Sequence, residues 1–337
     1  MTDPTAARRR DLLATAGLAG AAAAVTSTAP ALAQAQPTQT PAATGGGQAP
    51  GFYRFRLGAL TVVAVNDGFA QRPDARQGFV RNASPEQVEA ALRDAFLPVD
   101  TFRIPYTVPF LETPRGVVAF DTGTGGQLGA TGGRLHDNLR AAGIAPERVT
   151  DVVFTHFHPD HVTGLTTAEG AAVWPNAALH VPAPEWAFWT DEARANAAPE
   201  AMRPAFANVR RRFAPYGEAR VRRFEPGAEV LPGVRSVATH GHTPGHTSFV
   251  LSDGADSVLV LGDVTNRPEL FLRNPGWHVV FDMDGPAAEA TRRRVFDMAA
   301  AERMRIVAYH WPFPANGYVV KEGEGYRLVP AEWSSAV

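Results

Sequence analysis

Short apolar runs alternate with helical periods along most of the chain. Two strand-like runs meet around Leu57 and Gly58 and predict an opening hairpin. Ser84 precedes an apolar period and Gln87 follows three residues later, so a capped helix is predicted to begin near Pro85. Further strands are predicted at residues 106–111, 117–120, 151–155, 179–181, 234–238, 247–251, 257–261 and 305–308, and further helices at 135–142, 185–195, 199–213 and 286–301. This alternation favours a single α/β domain.

The first 50 residues differ in composition from the rest of the chain. Arg9 and Arg10 precede a weakly apolar run, rich in Ala and Gly, that ends in an Ala-x-Ala cleavage pattern at Ala33. This pattern is typical of a twin-arginine signal peptide over residues 1–33 and predicts export to the periplasm. A retained membrane anchor or a helical extension is the alternative. Residues 34–50 are rich in Pro, Gly, Thr and Gln and predict a flexible leader, so the folded domain is expected at 51–337.

Composition and charge narrow the classes of function. The 337 residues are 45% hydrophobic and 20% charged, which is enough apolar material for a packed core. A net charge of -2 supplies no basic field for a nucleic acid, and no interior stretch is long and apolar enough to predict stable membrane insertion after processing. The chain has no cysteine, which excludes disulfides, thiol catalysis and thiolate metal sites. Any metal must therefore be held by histidine and carboxylate.

Three histidines and one aspartate crowd into six positions directly after the predicted strand at 151–155. Side chains at alternating positions of such a turn can converge, so His156 and His158 can hold one cation while Asp160 and His161 face a second. Further candidate ligands lie beside Gly or Pro at later strand ends, in the segments 240–246, 261–263 and 308–310. Nitrogen and carboxylate donors suit zinc, with manganese, cobalt or iron as alternatives.

These ordered motifs resemble those of the metallo-β-lactamase superfamily: HxHxDH at 156–161, HTPGH at 242–246, Gly-Asp at 262–263 and a histidine after a short late strand. Within that superfamily, the stretches GFYRFRLG, THFHPDHVTGL, ATHGHTPGHT and EGEGYRLVPAEWSSAV resemble the methyl parathion hydrolase group. The resemblance runs from Gly51 to the C-terminus. It implies an αββα sandwich of two mixed β-sheets packed face to face with helices outside, two divalent metal ions and a homodimer.

The resemblance also implies a role for each candidate residue. One metal ion is expected on His156, His158 and His242, the other on Asp160, His161 and His310, with Asp263 bridging the pair. Asp121, His240 and His246 are expected to orient these ligands without binding metal themselves. No role is predicted for His136, His180 or His278.

The walls of the substrate pocket are expected to differ from those of the methyl parathion hydrolase group. Trp189 and Phe206 match aromatic positions that line the leaving-group pocket of that group, although both also fit a plain core position. Leu128 stands where a third aromatic residue is expected, and Asn266 lies in a segment more polar than its counterpart. We therefore expect an arylester or lactone to be as suitable a substrate as an organophosphate.

A hydroxide shared by two metal ions is the expected nucleophile, with Asp263 and Asp160 contributing to catalysis through the ions they hold. Ester, lactone and phosphotriester hydrolysis are compatible with this chemistry. A small uncharged substrate is expected because Arg267 and Arg273 are the only cationic residues that the sequence suggests as a clamp for an anion. An acyl-homoserine lactone hydrolase and a non-catalytic periplasmic metal-binding protein are the alternatives. A diiron redox protein is disfavoured because Asp160 and His161 follow the hydrolytic form of the motif.

Overall fold

Two seven-stranded β-sheets dominate the computed structural model, which describes residues 48–337. The predicted signal peptide and most of the predicted leader lie outside the described residues. The first sheet contains β1 Phe52–Leu57, β2 Leu60–Arg72, β3 Phe102–Thr113, β4 Gly116–Phe120, β5 Val149–Val153, β6 Ala178–Pro182 and β7 Val221–Phe224. The second contains β8 Glu229–Leu231, β9 Val234–Ala238, β10 Thr247–Asp253, β11 Asp256–Val260, β12 Arg305–Val307, β13 Asn316–Glu322 and β14 Gly325–Pro330.

Both sheets are mixed. The first follows chain order from β1 to β7, with antiparallel pairs up to β4 and parallel pairs from β4 to β7. The second has the order β14-β13-β12-β11-β10-β9-β8, and its one parallel pair joins β11 to β12. The helices are α1 Pro85–Asp94, α2 Leu135–Ala141, α3 Pro159–Val162, α4 Ala183–Thr190, α5 Glu192–Ala197, α6 Arg203–Phe213, α7 Pro268–Phe271 and α8 Gly285–Ala301. None of the helices in residues 48–337 is long and apolar enough to cross a membrane.

Side-chain alternation divides the core into layers. In β2, Val62 and Ala64 belong to the cluster shared with the second sheet, whereas Val63 and Val65 face a cluster that includes α2 and α6 residues. The second sheet likewise turns one face to the first and packs its other face on α8. Because successive side chains of a strand point to opposite faces, each sheet is covered on both sides. The predicted αββα sandwich is confirmed.

Several predicted elements match the structure closely, and others differ for local reasons. The opening hairpin forms, and α1 begins at Pro85 with Ser84 and Gln87 making a reciprocal capping box. The helix predicted at 185–195 is instead two helices, because the Asp191 side chain accepts the amide of Arg194 and starts a new one. The helix predicted at 199–213 begins only at residue 203, and the strand predicted at 151–155 ends at residue 153.

The strand ends place the candidate residues at one edge of the sandwich. The parallel strands β4 and β5 end just before Asp121 and His156, and the parallel strands β11 and β12 end just before Asp263 and His310. His242 lies in the turn between β9 and β10. Parallel strands present their carboxyl ends at the same edge, so five segments far apart in sequence meet there.

Candidate metal centre

The seven predicted metal ligands converge at this edge. Their side-chain nitrogen and oxygen atoms form three overlapping groups, and within each group all ligand atoms lie within 4.8 Å of one another. The groups are His156 with His158 and His242, then His156 with His161 and Asp263, and finally Asp160 with His161 and His310. The first and third groups correspond to the two expected ligand sets, and the second group joins them through His156, His161 and Asp263.

Asp263 lies between the two sets of ligands. Its Oδ2 is 3.2 Å from Nε2 of His242 and 2.9 Å from Nε2 of His310, and its Oδ1 is 3.3 Å from Nε2 of His161. The first histidine belongs to one expected metal position and the other two to the second. A carboxylate that contacts both ligand sets would be placed to hold both ions.

The cluster has buried polar atoms without hydrogen-bond partners among the described residues. They include Nε2 of His156, Nε2 of His161 and Oδ1 of Asp263. Nδ1 of His158 also faces Nε2 of His242 at 2.9 Å. Buried polar atoms are nearly always satisfied, so bare donor atoms aimed at a common centre fit a bound cation. The absence of thiolate and the mixture of imidazole and carboxylate fit zinc or a similar divalent ion.

The remaining nitrogen of four ligand histidines is held from outside the cluster. His161 pairs its Nδ1 with Asp121 at 2.8 Å, and His242 pairs its Nδ1 with Asp282 at 2.9 Å. The corresponding Nδ1 contacts of His156 and His310 are the Thr155 hydroxyl at 2.9 Å and the Pro105 carbonyl at 2.8 Å. Such contacts fix each ring so that its Nε2 faces the centre.

Asp121 adopts an unusual backbone conformation to reach its partners. Its φ is 66°, a left-handed value that is uncommon outside glycine. Its carboxylate accepts the amide and the hydroxyl of Thr155 at 2.8 and 2.7 Å, besides contacting His161. The structure thus brings Asp121 to the role of orienting residue expected from the sequence, and local strain of this kind is common at functional sites.

His246 supports Asp263 through the main chain. Its Nε2 accepts the amide of Asp263 at 2.8 Å, while its Nδ1 contacts the Thr239 hydroxyl at 2.8 Å. Burial lowers the pKa of His246 to about 3, so the ring is a neutral acceptor. Gly262 allows this close approach, because its φ is 59° and an added Cβ would lie 2.7 Å from Nε2 of His246.

Electrostatics in the cluster separate its histidines into two kinds. Burial, reinforced by neighbouring imidazoles, holds the pKa of His156 and His158 well below the usual value. Burial also opposes charge on His242, but Asp263 and Asp282 outweigh it and raise the pKa of His242 to about 9. The first two rings therefore present neutral lone pairs, whereas a metal ion would displace a proton from His242.

A buried carboxylate that the sequence did not single out ties the site together. Glu185, at the start of α4, is fully buried, and burial raises its pKa. Oε1 accepts the amide of Phe157 at 3.0 Å and the indole of Trp189 at 2.6 Å. Oε2 accepts the hydroxyl of Thr243 and the amide of Gly245, both at 2.8 Å. Glu185 thus connects both histidine loops to the helix that carries Trp189. In the sequence, Glu185 is a single acidic residue among apolar neighbours and belongs to no motif, so nothing there predicted this role.

Asp282 was also missed by sequence reasoning. It lies in the loop before α8, 40 residues after His242. Its Oδ1 contacts Nδ1 of His242, and its Oδ2 accepts a hydrogen bond from Nη2 of Arg292 at 3.3 Å. Arg292 is itself buried on α8. An isolated aspartate in a loop carries no spacing motif, so only the fold reveals the contact.

The remaining candidates differ in how near they lie to the cluster. The ring of Trp189 is 6.1 Å from that of His158 and 4.8 Å from that of Phe206, and both aromatic residues are buried. Leu128 is exposed and lines a cavity beside α6. Asn266 is buried, and its side chain accepts the amide of the next residue at 3.0 Å.

Several polar residues do not join the cluster. The ring of His240 forms no hydrogen bond with any described residue, and its Nδ1 is buried without a partner. Arg267 is paired with Glu269 at 2.7 Å, and Arg273 with Asp94 at 3.0 Å. These pairs correct the suggestion that either arginine is a free clamp for an anion. The three histidines without a predicted role contact Trp174, Asp151 and Glu289, away from the cluster.

Solved structures resemble this chain over most of its length. A structure described as the hydrolase AbOPH in the beta-lactamase superfamily has 26% identity and a TM-score of 0.80, covering 86% of this chain and 100% of the other. The dizinc quorum-quenching lactonase AidC, in complex with its product, has 23% identity and a TM-score of 0.78, covering 85% and 99%. A probable metal-dependent hydrolase from Staphylococcus aureus has 19% identity and a TM-score of 0.63, covering 83% and 100%. The last two likenesses concern the fold.

No curated protein matches the chain. A family model does, however, match residues 105–310, a range that contains all seven predicted ligands. Its description is the metallo-beta-lactamase superfamily. The sandwich fold, the converging histidines and carboxylates and this match agree, and the chain belongs to the metallo-β-lactamase superfamily.

Proposed function

We propose that this protein is a binuclear metal-dependent hydrolase of small esters and lactones. The observation that carries the proposal is the position of Asp263, whose carboxylate contacts histidines of both ligand sets beside the unpartnered Nε2 atoms of His156 and His161. His156, His158 and His242 would hold one ion and Asp160, His161 and His310 the other. A pair of divalent ions supplies Lewis acidity and a nucleophilic hydroxide at neutral pH.

The residues of the chain orient this centre and leave it open on one side. Asp121 and Asp282 hold His161 and His242 in fixed orientations, which keeps the donor atoms in place as a substrate enters. The side chain of Asp160 is 20% exposed, whereas those of His161, Asp263 and His310 are 4% exposed or less. A catalytic metal site requires such an accessible side, and a closed structural site does not. This supports catalysis over metal storage.

The similar structures guide the choice of substrate. AidC is a quorum-quenching lactonase and AbOPH is described as a hydrolase, and both share the fold of this chain. Lactone and ester hydrolysis pass through the same kind of negatively charged oxygen at the reacting carbonyl. We therefore place lactones, including acyl-homoserine lactones, beside arylesters as substrates. Phosphotriesters are a third class that the narrower resemblance to methyl parathion hydrolases adds.

The test is a substrate panel assayed with metal-free and zinc-loaded protein. Dihydrocoumarin, an acyl-homoserine lactone, a p-nitrophenyl ester and a phosphotriester are compared under identical conditions. Zinc-dependent turnover of the lactones or the ester supports the proposal. Zinc binding without turnover of any of the four would instead favour the metal-binding alternative.

We also propose that the protein acts in the periplasm. The twin-arginine pattern around Arg9 and Arg10 supports export of a folded and metal-loaded chain. Replacement of both residues by lysine should leave the protein in the cytoplasmic fraction, as judged by cell fractionation and immunoblotting. Unchanged delivery to the periplasm would reject this route.

A further inference from the structure

Helix α6 carries a concentration of positive charge that the proposed catalytic centre does not use. Its sequence, RPAFANVRRRF, has four arginines and no acidic residue, although the whole chain has a net charge of -2. Arg210, Arg211 and Arg212 lie in its last turn. The helix dipole stabilises cations in the last turn of a helix. This effect applies equally to the three arginines and does not explain why one of them is buried.

Arg212 is that buried residue, with 2% of its surface exposed. Its Nε donates to Asn208 at 2.9 Å, its Nη1 to Thr166 at 2.6 Å and to the Thr167 carbonyl at 3.4 Å, and its Nη2 to Gln127 at 2.9 Å. All four acceptors are neutral. An arginine has five N–H groups, so one on Nη2 has no acceptor among the described residues.

The charge on Arg212 is therefore not compensated. Within residues 48–337, neither Arg211 nor Arg212 forms a salt bridge, and the guanidinium of Arg211 repels that of Arg212. Burial, together with Arg211, lowers the pKa of Arg212 to about 10, which still leaves it protonated at neutral pH. A buried cation usually has an anionic partner, because removing it from water is unfavourable.

Both arginines line one cavity, which has a volume of about 580 Å³. Its other walls include Leu128 and Pro159, and Pro159 lies between the candidate ligands His158 and Asp160. One wall of the cavity therefore belongs to α3, the helix that carries the candidate ligands Asp160 and His161. Its alanine and proline residues, most of them on α6 or just before it, give the cavity apolar surface besides the two arginines.

We infer that this cavity binds a carboxylate carried by the substrate, with Arg211 and the free N–H of Arg212 as its partners. The inference rests on the proposed hydrolytic function and specifies its substrate class: an ester or lactone with an anionic arm. It differs from the uncharged substrate expected from the sequence. The hydrogen bonds of Arg212 to residues 127, 166 and 167 also hold α6 in place, so Arg211 is the appropriate residue to change.

The experiment compares Arg211→Gln with the matched control Arg210→Gln. Both residues are exposed neighbours on α6, and both changes remove one positive charge, but Arg210 lines a different cavity. The substrates are 4-nitrophenyl hydrogen adipate and its methyl ester, which differ in charge on the acyl side. The leaving-group side is tested with 4-acetoxybenzoate and its methyl ester. Binding of adipate and benzoate to the zinc-loaded protein is measured by calorimetry as a readout independent of turnover.

We expect the wild-type protein to prefer the charged member of at least one substrate pair. Arg211→Gln should reduce that preference in kcat/KM about fivefold, as expected for loss of a partly exposed charge pair, and Arg210→Gln should leave it unchanged. Equal preference in wild type and Arg211→Gln would overturn the inference while the proposed function stands. If no substrate is turned over, the proposed function fails, and calorimetry decides on the anion site. Saturable binding of adipate or benzoate that is weakened by Arg211→Gln supports the anion site. The absence of such binding rejects the anion site.

Discussion

At the residue scale, Asp263 makes the contacts that join the two halves of the candidate metal centre. Its two carboxylate oxygens lie within 3.3 Å of histidines from both ligand sets. Asp263→Asn keeps the size of the side chain but removes its negative charge. We expect at least a hundredfold loss of zinc-dependent turnover and fewer than two bound zinc ions per chain, because one oxygen becomes an amide that cannot bind metal.

Metal content is measured by plasma emission spectroscopy and turnover with the preferred ester or lactone. Asp256→Asn is the matched control, since Asp256 is an exposed residue at the start of β11, the strand that precedes Asp263. The control should keep both properties. Full activity and two zinc ions in Asp263→Asn would rule out the bridging role.

The variant Gly262→Ala tests whether contact with His246 constrains the main chain beside Asp263. Gly262→Ala keeps all seven candidate ligands, but its methyl group would lie 2.7 Å from Nε2 of His246. Gly254→Ala is the control, because Gly254 has a φ of 61° and no atom within 4 Å of an added Cβ. Both changes should lower the free energy of unfolding by about 1 kcal/mol through the left-handed backbone.

Gly262→Ala should lose roughly 1 kcal/mol more than the control in urea unfolding, since the contact with His246 must be relieved. It should also lose activity, because movement of Asp263 disturbs both ligand sets. Equal stability and equal activity in the two variants would show that His246 does not constrain Asp263.

At the scale of elements, the site depends on how α4 is fixed to the loops after β5 and β9. Glu185 accepts four hydrogen bonds from these segments. In Glu185→Gln, one carboxylate oxygen becomes an NH₂ group that faces hydrogen-bond donors. At least one buried N–H or O–H group therefore loses its acceptor. We expect the free energy of unfolding to fall by about 2 to 3 kcal/mol, measured by urea denaturation.

A positional role for Glu185 also predicts a change in the metal centre. Zinc affinity should fall and the fluorescence of Trp189, which donates to Glu185, should shift. Glu192→Gln on α5 changes an exposed glutamate and should alter none of these properties. A stable Glu185→Gln protein with unaltered zinc affinity would contradict the role.

The elements could be predicted from sequence where local signals were strong. The capping box at Ser84 and the alternating residues of β2 follow from short-range rules, and both are present in the structure. The short edge strands β7 and β8 and the late hairpin of β13 and β14 were not predicted. Each of β7 and β13 carries two charged residues that obscure its apolar pattern, because several positions of each strand are exposed. The break between α4 and α5 depends on one capping aspartate inside an otherwise helical period.

The candidate ligands could be proposed from the sequence, whereas the residues around them could not. HxHxDH and the later histidine motifs are compact patterns, and the structure brings all seven ligands together. Glu185, Asp282 and Arg212 act through contacts between segments that are 28 to 85 residues apart in sequence. No local pattern records such contacts, so a single sequence cannot reveal them.

At the scale of the whole molecule, the metal ions should contribute to stability as well as to catalysis. The candidate ligands come from both sheets, so a bound ion links the two layers of the sandwich. A ligand that binds only the folded state at a hundred times its dissociation constant adds about 2.7 kcal/mol. Removal of metal with a chelator should therefore lower the melting temperature by roughly 5 to 10 °C.

Differential scanning calorimetry with and without chelator measures this shift. Added zinc should restore the original melting temperature in the wild-type protein and much less of it in Asp263→Asn. An identical melting temperature with and without chelator would mean that no metal ion links the two sheets.

The most direct measurement is a zinc titration of the metal-free protein with turnover followed at each step. The proposed centre predicts saturation at two zinc ions per chain, with hydrolysis of an ester or lactone rising as the second ion binds. Saturation at a single ion, or two bound ions with no hydrolysis, would contradict a binuclear hydrolase.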